Sequence, residues 1–283
     1  MSMSNGFFEK LIAGKWIAGP NINDAIKRSM QLNKSNEHAI INFLGEEYTD
    51  KANVSETVAE YMRLISAIQR SGVSADISLK PTQLGLRIGY AYAANNYAKI
   101  VNEARAKGIF TWLDMESSST TDSTIKMYKS VLDSKSNVGI CLQSYLKRTL
   151  SDMRSLVNRH AVIRLVKGAY REYGKRAFQS RQEVSNNYVL LMRYLFKNSS
   201  TFTIATHDDT IIAEARELNK SYQRHVTYAF LNGIRTKLAK GMAMQGERVS
   251  IYIPYGTLWL DYAYRRMREQ GHASLVFRSL FGG

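Results

Sequence analysis

Eight short β-rich runs, each ending in polar residues and followed by a helix-length segment, constrain this chain more than any other feature. They are Ala39–Gly45, Ala75–Lys80, Ile109–Glu116, Val138–Gln143, Ala161–Val166, Phe202–His207, His225–Phe230 and Val249–Pro254. Alternation of this kind reads as β/α units around a parallel sheet. Eight units in roughly 250 residues predict a closed (β/α)8 TIM-like barrel. An open, doubly wound sheet is less favoured, because no Gly-rich strand-to-helix turn of the dinucleotide type follows any run. With 283 residues, 45% of them hydrophobic, and only 3 Pro, the chain suits one barrel-sized core without a flexible joint. Residues 1–37 read as an N-terminal helical leader, with Phe7–Ile12 and Asp24–Leu32 as its amphipathic pieces; residues 38–283 read as the barrel unit.

Barrel active sites form at the C-terminal ends of the strands, and side chains alternate along each strand. The downstream ends are rich in polar groups. Asp76, Ser78 and Lys80 share one face of the second run; Asp114 and Glu116 close the third, Gln143 the fourth and Thr206-His207-Asp208 the sixth. Arg164 lies between Val162 and Val166, and Tyr252 just before Pro254. A last helix, about Leu258 to Gln270, follows the eighth run and places Tyr262, Arg265, Arg266 and Glu269 on one face. Adjacent guanidinium groups repel unless an acid or an anion joins them. A solvated face is the ordinary alternative for such a pair. A mouth of Lys80, Arg164, Arg265 and Arg266 against Asp114, Glu116 and Glu269 suits an anionic ligand. Tyr170, Tyr252 and Tyr262 add flat surface for a small ring or a flat cofactor.

Several classes are disfavoured. The net charge is +15, yet no zinc-finger, RNP or helix-turn-helix signature accompanies it, so no nucleic-acid partner is expected. Cys141 is the single cysteine, which fits a reducing compartment. No run of 18 apolar residues occurs, and Met1–Gly14 lacks a secretion signal; a cytoplasmic protein is expected. The histidines show no metal-ligand spacing, so no catalytic metal is expected, and no GxSxG elbow is present. A barrel lyase using Lys80 or Lys167 as a Schiff base is an alternative that the residues alone leave open beside a cofactor enzyme.

The ordered segments Asn42-Phe43-Leu44-Gly45-Glu46, Ile77 to Gly85, Leu113-Asp114-Met115-Glu116, Gln143-Ser144-Tyr145 and Arg164 to Tyr170 resemble the proline dehydrogenase family. So do Ala205-Thr206-His207-Asp208, Gly233-Ile234-Arg235, Tyr252 to Gly256 and Tyr262 to Glu269. The resemblance implies a distorted barrel with the last helix over its mouth and FAD at the strand ends. It implies oxidation of L-proline to Δ1-pyrroline-5-carboxylate, with hydride passing from proline C5 to the flavin and electrons passing on to a quinone-type acceptor. By the same resemblance Arg265 and Arg266 bind the proline carboxylate, Lys80 assists, and Asp114 and Glu269 position these cations. Leu165, Tyr170, Tyr252 and Tyr262 shape the substrate pocket, with Tyr252 disfavouring hydroxyproline. Gln143, Arg164, Val166, Lys167, Thr206 and His207 contact the flavin, Arg164 near N5.

Two segments depart from the family pattern. Tyr228-Ala229-Phe230-Leu231-Asn232 replaces the usual stretch before Gly233, on the adenine side, and the link from Gly256 to Tyr262 is shorter. No aldehyde-dehydrogenase domain is seen, so the expected enzyme is monofunctional and relies on a separate pyrroline-5-carboxylate dehydrogenase. The +15 charge and the segment Leu275–Phe281 allow peripheral contact with an anionic membrane at its inner face.

Overall fold

The computed structural model describes residues 15–132, 137–260 and Tyr262. Among them helices and strands alternate in the order α1 (Ile22–Asn33), β1 (Glu37–Phe43), α2 (Lys51–Ser71), β2 (Ala75–Leu79), α3 (Tyr90–Ala106), β3 (Thr111–Leu113), α4 (Thr121–Val131), β4 (Val138–Gln143), α5 (Thr149–Val157), β5 (Val162–Val166), α6 (Arg181–Asn198), β6 (Thr201–Ala205), α7 (Asp209–Tyr222), β7 (His225–Leu231), α8 (Thr236–Met244) and β8 (Arg248–Tyr255). Each strand pairs in parallel with its neighbours, and β8 returns to β1. The sheet is a closed (β/α)8 barrel.

Local chemistry fixes where the helices start. Asn21 with Asp24, and Ser180 with Glu183, form capping boxes that satisfy the first N–H groups of α1 and α6. Asp50 caps α2, which ends on Gly72 in the left-handed region.

The period of two along each strand separates two environments. Ile41, Ile77, Ile163, Leu165 and Phe202 face the helices and join a continuous hydrophobic core, where each fully buried side chain contributes about 1.5–3 kcal/mol. The helices send tyrosines into this layer. Tyr61 donates to the Ser78 carbonyl at 2.8 Å and Tyr188 to the Leu165 carbonyl at 2.9 Å. The opposite parity lines the lumen. Bonds from Arg164 on β5 to Ser78 on β2, and from Tyr252 on β8 to Asp114 beyond β3, join strands that are not neighbours and so cross the barrel. Deeper in the barrel, Asp76 accepts from Trp112 Nε1 at 2.9 Å and pairs with His38 at 2.7 Å.

One expectation changes at its boundary. The third run shortens to Thr111–Leu113: Asp114 N still donates to the Leu79 carbonyl, but Glu116 leaves the ladder to bind the turn after β2. In the leader, Ala25, Ile26 and Leu32 of α1 belong to the same core as the barrel. Phe7–Ile12 and most of the last helix lie outside the described residues. No helix among the described residues is long and apolar enough to cross a membrane.

Gly139 shows how tightly the lumen is filled. A Cβ there would lie 2.4 Å from Trp112 Cζ3 and 3.0 Å from Phe110. Gly139→Ala should lower stability by roughly 1–3 kcal/mol through overpacking, read as a lower urea midpoint at unchanged m-value.

Candidate active site

The centre of the mouth is a buried ion pair. Arg164 projects from β5 into the lumen and is 3% exposed. Its Nη2 donates to Asp114 Oδ1 and, at 3.0 Å, to Ser78 Oγ. Its Nε donates to Cys141 Sγ at 2.8 Å. The guanidinium carbon lies 4.8 Å from the Trp112 ring centre and 5.5 Å from that of Tyr252. Asp114 also accepts from Tyr252 Oη at 2.8 Å, Ser78 Oγ at 3.0 Å and Cys141 Sγ at 3.4 Å. Burial opposes the charge on Arg164, but the surrounding Cys141, Asp114 and Tyr252 more than offset it and raise its pKa. Burial pushes the Cys141 thiol up to about 12, against the pull of Arg164. The thiol is therefore neutral at ordinary pH, and Asp114 supplies the countercharge. Burial, reinforced by Asp114, holds the Tyr252 phenol well above its usual range. Arg164 Nη1 is buried without a hydrogen-bond partner among the described residues. Such a buried, unpaired donor suits an acceptor on a bound molecule.

Lys80 follows β2 directly and is buried. Its Nζ lies 3.3 Å from Glu46 Oε2, which also accepts from Tyr170 Oη at 3.3 Å. Glu116 braces this corner: it accepts from Thr82 N at 2.8 Å and Thr82 Oγ1 at 2.6 Å, while its carbonyl accepts from Gln143 Nε2 at 2.7 Å. Burial raises the Glu116 pKa against the Thr82 bonds and the charge of Lys80.

A second polar group stands after β5 and β6. Lys167 donates to Asp208 at 2.9 Å and to Ser185 at 3.0 Å. Asp208 also caps α7. Partial burial works against its charge, but Lys167 and the cap bonds prevail and its pKa is lowered. Thr206 Oγ1 accepts from Asp208 N, and His207 Nε2 accepts from Leu231 N at 3.1 Å beside the Phe230 ring. Gly168 has φ +111°, and a Cβ there would lie 2.2 Å from the Tyr145 ring, so the turn from Lys167 to Tyr170 requires glycine.

Lys80, Asp114, Gln143, Lys167, Tyr170, Thr206 and His207 thus stand at or just beyond the C-terminal ends of strands, Arg164 and Tyr252 reach Asp114 from within β5 and β8, and Val166 shares the strand face of Arg164. Leu165 does not join them: strand alternation turns its side chain into the helix-facing core. Tyr262 is buried with Trp16, Ile17, Leu44 and Ile234. Arg265, Arg266 and Glu269 lie outside the described residues. Both Schiff-base candidates sit in ion pairs, Lys80 with Glu46 and Lys167 with Asp208. Sequence reasoning assigned no role to Glu46, Cys141 or Trp112. Strand parity held the signal for the last two, since each stands two residues before a selected position.

The flavin-type fit is chemical. A buried N–H without an acceptor, the Gln143 side chain and the cation Lys167 suit a planar group with acceptor atoms and phosphates. Among the described residues no cluster of three or more His, Cys, Asp or Glu side chains is arranged to hold a metal.

Asp114→Asn should destabilise the fold by roughly 3–5 kcal/mol in urea unfolding, because it strands a buried guanidinium. Tyr252→Phe, which removes one bond to a carboxylate, should cost about 1.5–3 kcal/mol at most. Cys141 should resist a thiol reagent at about pH 8 in the native protein and react at once in denaturant.

A family model described as proline dehydrogenase matches residues 25–278. Proline dehydrogenase 1 of Bacillus subtilis is 30% identical over 275 residues, covering 96% of this chain and 91% of that protein. Proline dehydrogenase of Deinococcus radiodurans is 30% identical over 281 residues, with the same coverage of both. The crystal structure of proline utilization A (PutA) from Bdellovibrio bacteriovorus superposes with a TM-score of 0.88 at 20% identity and shares the fold. It covers 99% of this chain, which spans 35% of that longer one. A barrel mouth built on a buried Asp–Arg pair, and a family match across nearly the whole length, lead to one assignment: this chain belongs to the proline dehydrogenase family.

Proposed function

We propose that this enzyme oxidises L-proline to Δ1-pyrroline-5-carboxylate with FAD, and passes the electrons to a quinone-type acceptor. The observation that carries the reading is the set of fixed ion pairs at the mouth: Arg164 locked by Asp114, and Lys80, just after β2, held by Glu46. When bound, a flavin would supply the acceptor for the hydride released from proline C5. Gln143, Arg164, Val166, Lys167, Thr206 and His207 are the residues proposed to hold it.

The chain's own tasks are orientation and charge placement. Arg265 and Arg266 are assigned to the proline carboxylate, with Lys80 assisting and Glu269 as their acid. Tyr170, Tyr252 and Tyr262 are assigned to the walls. The bond from Tyr252 Oη to Asp114 supports a fixed ring there, as a wall against a substituent on the proline ring requires. Hydride release needs the ring amine neutral. Cations around it lower an ammonium pKa, so proline enters as the free amine without a dedicated base. Loss of hydride leaves the iminium, whose proton passes to solvent.

Residues 1–37 are treated as a leader to a barrel unit of residues 38–283. A net charge of +15 supports peripheral contact with anionic membrane, where quinone resides. A pyrroline-5-carboxylate dehydrogenase on a separate chain would consume the product.

The purified protein should absorb as a flavoprotein and bleach on adding proline. Arg266→Met should raise the proline requirement by roughly two orders of magnitude with flavin retained, since an interfacial charge pair is worth several kcal/mol. Near-normal proline kinetics in both Arg265→Met and Arg266→Met would remove the carboxylate clamp.

A further inference from the structure

Cys141 is the single cysteine of the chain, and it stands on β4 between the two partners of the buried ion pair. The β4–β5 register sets it beside Arg164, and the β3–β4 register sets Ile140 beside Leu113, one residue before Asp114. Its side chain is buried. The sulfur accepts from Arg164 Nε at 2.8 Å, and the thiol donates to Asp114 Oδ1 at 3.4 Å. Burial keeps the thiol protonated, so it can do both at once.

An arginine and a carboxylate commonly meet as a fork, with two parallel N–H bonds to the two oxygens. Arg164 and Asp114 do not. Arg164 reaches Asp114 through Nη2, on Oδ1, and Oδ2 accepts instead from Tyr252 Oη at 2.8 Å. The Nε–H that would close a side-on fork is taken by the Cys141 sulfur. Nη2 also donates to Ser78 Oγ at 3.0 Å. With Nε and Nη2 engaged, the donors left over are those on Nη1, which is buried and has no partner among the described residues. Without the sulfur, Nε–H would be a buried donor whose nearest acceptor is the carboxylate itself. Closing the fork would turn the guanidinium and compete with Tyr252 for Oδ2.

We propose that Cys141 is a positioning residue: it holds Arg164 out of the closed fork, so that Nη1 stays available to an acceptor on bound flavin and Oδ2 stays with Tyr252. The role rests on the reading above that Arg164 contacts the flavin. The thiol acts through Arg164 rather than on the reacting atoms.

The test uses the full chain loaded with FAD, without proline. Flavin release on dilution is followed as the return of flavin fluorescence, and the flavin midpoint potential is measured beside it. Cys141→Ala and Cys141→Val remove the bridge, whereas Cys141→Ser keeps a donor and an acceptor. The first two should release FAD roughly tenfold faster or more, with a shifted potential, as the loss of a hydrogen bond to a charged group requires; Cys141→Ser should stay close to the parent. A packing role would give the opposite order, with Cys141→Val nearest the parent. Because no other cysteine is present, the S–H stretching band of the unsubstituted protein reports the bridge whatever the variants do to folding, and it should lie where a hydrogen-bonded thiol absorbs. A free-thiol band, parental release rates in Cys141→Ala and Cys141→Val, or an equal loss in Cys141→Ser would each overturn the role alone. A parent that holds no flavin would overturn the reading beneath it as well.

Discussion

The structure depends on a buried charge pair that the lumen cannot do without. Arg164 on β5 brings a full positive charge into the barrel, and Asp114 is the acid that makes this tolerable. Removing either partner leaves an unmatched ion in a region of low dielectric. Around the pair, Ser78, Cys141, Tyr252 and Trp112 take up most of the remaining hydrogen-bonding and stacking capacity. These contacts fix the guanidinium plane, so one unpartnered N–H points in a defined direction. Preorganisation of that kind matters in a site whose chemistry belongs to a bound cofactor.

A polar lumen is affordable because the stabilising layer lies elsewhere. The apolar parity of each strand packs against the helices, and the tyrosines of α2 and α6 fasten that layer to strand carbonyls. Stability and chemistry therefore use opposite faces of the same strands. Leu165 and Arg164 are adjacent in sequence, yet one belongs to the shell and the other to the mouth.

That division explains what could be read in advance. The eight-fold alternation and the cluster of polar strand ends were legible because burial imposes a period of two on strands and polarity marks their downstream ends. Lys80, Asp114, Arg164 and Tyr252 followed from it. Leu165 came from a matching motif rather than from parity, and its side chain belongs to the hydrophobic core. Glu46 stayed without a role because its partners, Lys80 and Tyr170, come from distant turns that periodicity does not connect. Glu116 looked like a strand residue because β-propensity extends past the point where the ladder ends. Cys141 carried no site role, since its proximity to Arg164 arises only from the β4–β5 register.

Closure of the barrel by β1 and β8 has a consequence for how the chain comes into being. These two strands align over seven residue pairs, from Glu37 with Val249 to Phe43 with Tyr255, yet they stand about two hundred residues apart in sequence. During synthesis the first strand emerges long before its partner exists, and its free edge is a template for wrong pairing. α1 packs on β1 and comes off the ribosome just before it. It covers one flank of the waiting strand, so the leader's packing also serves the nascent chain.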